Sequence, residues 1–464
     1  MKQENSFYKS VLKIAIPITL QSLLQSSFSV IDQVMTGQLG STSIAGIGLG
    51  GKFYSIFSVL VSAIAAVAGI MIAQYMGKKD DREVSRSFFV NIIIALLLAI
   101  LFTGMCLVFP GQIMGAYTKD GATKAVAAGY LRIIAISYIP IAVGTLLSTL
   151  LRCIDAAVIP LYSTILAAVL NTGLNYVLIF GKFGFPRLGV TGAAIATVVS
   201  QCTSCLLILG LFFRHYRKQQ LLHMEFVFRM NKSGRIQYLG ILMPILVCEF
   251  LWSLGENVYA AIYGHIGTDA CAAMTLTSSI QVLLIGALSG LSQAAAILIG
   301  KSLGGEEYEK AYQESKKLMW YGLGGALILS LILIVCRGYY VQIYNVEQSV
   351  QETAGQILFA FALVAPVKVL NMILGGGILR SGGKTKYVMC IDILGTWGFG
   401  VPLGLLTAFV LELSIPYVYF ILSLEECVRL VISLVVFHRK SWMRSLEKQE
   451  SSGKEVELWK EKLS

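Results

Sequence analysis

Four polar residues break up the first long apolar stretch: Gln21, Gln25, Ser29 and Asp32, at intervals of four, four and three. That spacing lines them along one face of a helix. A carboxylate among apolar side chains needs a polar cavity or a partner, so Asp32 is the leading candidate for chemistry. Gln21, Gln25 and Ser29 either line that cavity for a substrate or hydrogen-bond to neighbouring helices. Asn171 and Asn175 stand one turn apart in a later apolar stretch, and Thr197 lies in the next one. Amide and hydroxyl oxygens suit a hard cation or a protonated carboxyl, although asparagine also bonds helix to helix. Glu249, Trp252, Ser253 and Glu256 again share one helical face. Two carboxylates so placed resist ionising together, as a proton-coupling group would. Trp252 offers a ring to a cationic or aromatic substrate, or packs against a neighbour.

Other charges have structural readings. Glu425 and Arg429 are one turn apart and can pair, and Lys368 is expected to pair across helices with Asp392. Enzyme signatures fail. Gly46-x-x-x-x-Gly51-Lys52 mimics a phosphate loop, but Phe53 stands where magnesium needs a hydroxyl. The four histidines lack metal-ligand spacing. Cys202-x-x-Cys205 falls inside an apolar stretch, where small residues pack. A membrane-embedded enzyme would need a metal or nucleophile cluster that the sequence does not offer. Neither a metal nor a cofactor is expected.

The elements that carry these residues follow from composition. Of 464 residues, 56% are hydrophobic and 14% charged, against about 25% charged in soluble domains. Mean hydropathy is +0.72. Twelve apolar stretches are long enough to cross about 30 Å of hydrocarbon: 11–35, 52–74, 88–109, 130–151, 159–181, 190–213, 238–263, 270–299, 318–336, 356–379, 387–411 and 416–437. They must be helices, because lipid cannot satisfy an open strand and the alternation of a barrel is absent. Of 37 lysines and arginines, 27 lie in the termini and even-numbered loops and six in the odd-numbered loops. Both termini are therefore expected in the cytoplasm, with the chain in a bacterial inner membrane. The net charge of +11 reflects these loops and membrane lipid, not a nucleic-acid surface. The N-terminal run continues through Gln21, Gln25 and Asp32 with no cleavage site, so it is expected to stay as the first helix.

The two halves resemble each other. Pro17, Gly37, Gly40 and Ala45 recur 227 positions later as Pro244, Gly264, Gly267 and Ala272, and Leu151-Arg152 recurs 228 later as Leu379-Arg380. The expectation is an all-α polytopic membrane protein of two parallel six-helix repeats, 1–213 and 238–437. A basic cytoplasmic linker (214–237) joins them, and a basic tail (438–464) follows.

In order and spacing, several segments resemble the multidrug and toxic compound extrusion (MATE) transporters. They are Pro17…Ile31-Asp32-Gln33…Gly37-x-x-Gly40…Ala45, Leu150-Leu151-Arg152, Asn171-x-x-x-Asn175-Tyr176-Val177, Gly189-Val190-Thr191-Gly192-Ala193-Ala194-Ile195-Ala196-Thr197, Pro244…Glu249 and Ile378-Leu379-Arg380-Ser381-Gly382-Gly383. The resemblance implies V-shaped lobes around a cavity and export of bulky, often cationic compounds driven by inward H+ or Na+; the substrate is expected to be a cationic or amphipathic small molecule, and the chain a monomer. It implies coupling at Asp32, with Asn171, Asn175 and Thr197 as its cluster, and a second candidate at Glu249. Asn175 replaces an aspartate of several relatives, and the aspartate of the sodium-coupled branch has no counterpart around 368–371; both favour protons. The alternative within the superfamily is a flippase of lipid-linked precursors, which would need a strongly basic cavity.

Overall fold

The computed structural model describes residues 2–219, 225, 227, 232–344 and 346–446. Most of the linker's core, 220–224, 226 and 228–231, and the tail beyond 446 lie outside the described residues.

All regular elements among the described residues are helical. In chain order they are α1 (Lys2–Thr36), α2 (Ser41–Lys78), α3 (Asp81–Val108), α4 (Pro110–Gly115), α5 (Gly121–Ile134), α6 (Tyr138–Cys153), α7 (Val158–Phe180), α8 (Val190–Gln219), α9 (Lys232–Ile266), α10 (Thr268–Gly304), α11 (Tyr308–Gln342), α12 (Gln348–Asn371), α13 (Thr385–Ile393), α14 (Val401–Leu405), α15 (Ile415–Ser423) and α16 (Glu425–His438). Wide turns, Met372–Leu379, Leu394–Gly400 and Leu406–Val410, continue α12, α13 and α14 without a break. Ends are closed locally: Asp80 accepts the N–H of Glu83, and α7 stops where Gly181 turns left-handed at φ +66.

Eleven helices among the described residues are long and apolar enough to span a membrane. The chain is a multi-pass membrane protein. The twelfth expected span, 416–437, is divided into α15 and α16 at Leu424, where Ser423, Glu425 and Glu426 interrupt the apolar stretch. The phosphate-loop mimic at 46–52 lies within α2, so it forms no loop.

The described chain forms two compact units. One comprises Leu20–Ile72 and Asp80–Arg229. Its core is built on buried alanines, Ala95, Ala99, Ala127 and Ala194, with Phe57 stacked on Tyr138 at 4.5 Å. Small side chains let helices approach where lipid supplies no hydrophobic drive. The other unit comprises Met1–Thr19, Ala73–Lys79 and Met230–Ser464. Its core centres on Ile357, Leu358 and Phe361 of α12 with Val418 and Leu422 of α15. Outward faces are apolar, as lipid requires: Leu97, Ile100 and Leu101 on α3, and Ile328, Leu331 and Val335 on α11. Behind α16, the segment ending at Leu446 packs back onto this second unit. Trp442 is fully buried against Phe437, and Gln74 of α2 accepts the N–H of Leu446 at 2.9 Å.

Candidate functional site

In the first unit, three helices bring four of the candidate residues together. Asn175 Nδ2 of α7 donates to Asp32 Oδ1 of α1 at 2.5 Å and to Asn171 Oδ1 at 3.3 Å. Asn171 Nδ2 donates to Thr197 Oγ1 of α8 at 3.3 Å, and that hydroxyl donates to the carbonyl of Ala193 at 3.1 Å. Asp32 thus touches Asn175 directly, and Asn171 and Thr197 follow as a relay. One turn of helix separates Asn171 from Asn175, so a single face of α7 presents both.

Asp32 is half-buried, and no cation pairs with it among the described residues. Asn175 is buried, and its Oδ1 has no hydrogen-bond partner among the described residues. An unfilled acceptor beside a carboxylate is an arrangement that a proton donor or a small cation would complete. Tyr130 of α5 lies within electrostatic reach of Asp32. Gly50 of α2 makes room for it, since a Cβ there would come within 2.7 Å of the Tyr130 ring. One tyrosine among 21 carries no signal in the sequence; only the bundle brings it to Asp32.

The other residues on that face of α1 have different surroundings. Gln25 and Ser29 are exposed. Gln21 is buried and engaged: it accepts from Arg152 and donates to Thr164, each at 2.8 Å.

The second unit holds a charged network. Arg380 reaches Glu249 Oε1 and Cys248 Sγ, both at 3.4 Å, and Cys248 donates to Asp392 Oδ2 at 2.7 Å. Arg429 pairs with Asp392 at 3.7 Å and with Glu425 at 3.4 Å, and donates to Thr396. Tyr259 donates to Glu425 at 2.6 Å. Lys368 meets Glu426 at 3.8 Å, and Asn371 Nδ2 donates to that carboxylate at 2.8 Å. The expected pairing of Lys368 with Asp392 is therefore corrected. Each finds another partner, because α16 inserts its carboxylates and arginine between them. The expected pairing of Glu425 with Arg429 is present. Glu256 is exposed, in electrostatic reach of Lys368 and Arg429, and Trp252 and Ser253 are exposed on the same helix. Of these partners, Arg380, Tyr259, Thr396 and Glu426 were not singled out from sequence as members of a network. An intramembrane charge signals a partner without saying which helix supplies it.

Helices that cross a membrane, an internal repeat and a carboxylate–amide cluster within the bundle define a polytopic transport protein. The MatE family model matches residues 17–177 and 244–406, once in each repeat. The chain belongs to the MatE family and is a transporter, not an enzyme. It is 22% identical over 436 residues to the "Uncharacterized transporter YisQ" of Bacillus subtilis (strain 168), covering 94% of this chain and 95% of that one. It is 25% identical to the "Probable multidrug resistance protein NorM" of Streptococcus pneumoniae (strain ATCC BAA-255 / R6), covering 92% of each. A crystal structure of "MATE in the straight conformation" matches with a TM-score of 0.85 at 18% identity, over 95% of this chain and 97% of that one. At that identity the likeness concerns the fold.

Proposed function

We propose that this transporter is a secondary antiporter that exports bulky cationic or amphipathic molecules in exchange for protons, with Asp32 as the exchange point. The carrying observation is the Asp32 cluster: a carboxylate with no paired cation among the described residues, held by Asn175, whose own Oδ1 is buried with no hydrogen-bond partner among them. Protonation removes the cost of a bare charge in low dielectric and weakens the hold on a cationic substrate. Proton and substrate then compete, and binding one favours release of the other. A proton moving down about 150 mV supplies roughly 3.5 kcal/mol, enough for a gradient of a few hundred-fold without ATP.

The unfilled Oδ1 of Asn175, with the oxygens of Asn171 and Thr197 next to it, also favours a second reading, in which the coupling ion is Na+. The two are separated by dye efflux from proteoliposomes under an imposed pH gradient or an imposed sodium gradient. Efflux driven by pH alone supports protons; efflux driven by sodium alone moves the assignment to Na+; transport with ATP and no gradient overturns both. Asp32→Asn should insert and fold yet lose gradient-driven efflux by at least about 10-fold, the loss of roughly 1.4 kcal/mol of coupling. Normal efflux in that variant, with loss in Glu249→Gln, would relocate coupling to α9.

The organisation we propose retains the six-helix repeats 1–213 and 238–437, the linker 214–237 and the tail 438–464. The basic loops support a bacterial cytoplasmic membrane with both termini inside, and the working unit is one chain. A precursor flippase is disfavoured by the acidic balance of the intramembrane charges, Asp32 and Glu256 foremost.

A further inference from the structure

The internal repeat allows one half to be compared with the other, residue by residue. Gln21 and Ser22 correspond to Cys248 and Glu249 at an offset of 227, and Arg152 and Thr164 correspond to Arg380 and Asp392 at 228. The contacts obey the same correspondence. Gln21 bonds Thr164 and Arg152, as Cys248 bonds Asp392 and Arg380. The first repeat therefore keeps the arginine but carries hydroxyls, Ser22 and Thr164, where the second carries carboxylates, Glu249 and Asp392.

Arg152 is left with a charge and no counter-charge. Among the described residues no carboxylate pairs with it, and its only electrostatic neighbour is Cys153. Nε is buried without a partner among the described residues. Nη2 is on Gln21, while Nη1 has no hydrogen-bond partner among the described residues and is not sealed. An unpaired guanidinium within a helix bundle is costly, and its planar fork is shaped for two oxygens. Gln21 and Thr164 add neutral groups able to donate to an anion.

We propose that Arg152, with Gln21, Ser22 and Thr164, binds an oxyanion whose oxygens stand where those of Glu249 and Asp392 stand beside Arg380. A carboxylate or a phosphate has this chemistry, supplied by a dissolved amphipathic acid or by a lipid headgroup. The site is separate from the Asp32 cluster and does not depend on the coupling ion.

The test is thermal unfolding of the full chain in uncharged detergent, followed by tryptophan fluorescence at fixed ionic strength. Sodium chloride, sodium benzoate and dioctanoyl phosphatidylglycerol are compared. Benzoate or the lipid should raise the wild-type midpoint by several degrees and saturate, and chloride should not. A response to benzoate assigns the dissolved carboxylate; a response to the lipid alone assigns the headgroup phosphate. Thr164→Asp rebuilds the second repeat's chemistry, so it should raise the midpoint without ligand and abolish the response. Gln21→Glu supplies the same counter-charge if that variant does not fold. Arg152→Gln should also abolish the response. A wild type that treats benzoate, lipid and chloride alike overturns the proposal, as does a folded counter-charge variant that responds like the wild type.

Discussion

Arg429 illustrates what a single residue does in this bundle. Its guanidinium answers Asp392 on α13 and Glu425 on its own helix, and it donates to Thr396. Arg429→Met keeps the bulk and leaves two carboxylates without their cation, which should cost about 3–5 kcal/mol. A lowered unfolding midpoint and reduced yield of monodisperse protein would register this; an unchanged midpoint would show the network to be dispensable. Gly400 is a second residue-scale case. A Cβ there would run into Glu425 Oε2 and the Tyr259 hydroxyl, whereas at Gly398 the nearest atom, Leu394 Cδ2, lies 4.0 Å away. Gly400→Ala should therefore destabilise by about 1–3 kcal/mol, while Gly398→Ala should stay near the wild type. Equal midpoints for the two variants would refute the crowding at Gly400.

At the scale of elements, α2 and α10 cross through small residues placed by the repeat. Ala73-x-x-x-Gly77 and Gly300-x-x-x-Gly304 correspond at an offset of 227. A Cβ on Gly77 would strike the carbonyl of Lys301, and one on Gly304 the carbonyl of Gln74. The contact is reciprocal, each glycine receiving the backbone three residues before the other. Gly77→Ala or Gly304→Ala should part the helices and lower the unfolding midpoint, with a loss of about 1–3 kcal/mol; tolerance of both would argue against close crossing. At the start of α5, the exposed Asp120 carboxylate accepts the N–H of Thr123 at 2.8 Å, and the Thr123 side chain, followed by this N–H, holds its pKa below the usual carboxylate value. A depressed pKa means the cap is present above the unfolded carboxylate's pKa, about 4, and is lost as pH falls through the folded value. Protection of the Thr123 amide, measured relative to its intrinsic exchange rate at each pH, should fall on acidification, and Asp120→Ala should show low protection at every pH.

At the scale of the molecule, the distribution of basic loops makes a topological prediction. Lys119 and Lys310 belong to loops of opposite parity, so they should face opposite sides of the membrane. In a background with accessible cysteines replaced, Lys119→Cys should react with an impermeant maleimide in intact cells. Lys310→Cys should react only after permeabilisation, and the reverse pattern would invert the chain.

Much of this protein is legible along the chain because the signals are local. The apolar stretches mark the spans, the repeat follows from a near-constant offset, and the spacing 21, 25, 29, 32 puts Asp32 on a helix face. Asp32, Asn171, Asn175 and Thr197 could be nominated because polar residues are conspicuous in an apolar run. Their bonding order required the fold, which makes Asn175 the direct partner of Asp32. The fold also decided that Lys368 meets Glu426, that Arg429 takes Asp392, and that Arg152 keeps a charge which Arg380 shares with Glu249. Helical period is a property of one segment, and sequence carries it. Pairing across helices depends on the rotation and depth at which two segments pack, and those are set by all the side chains between them.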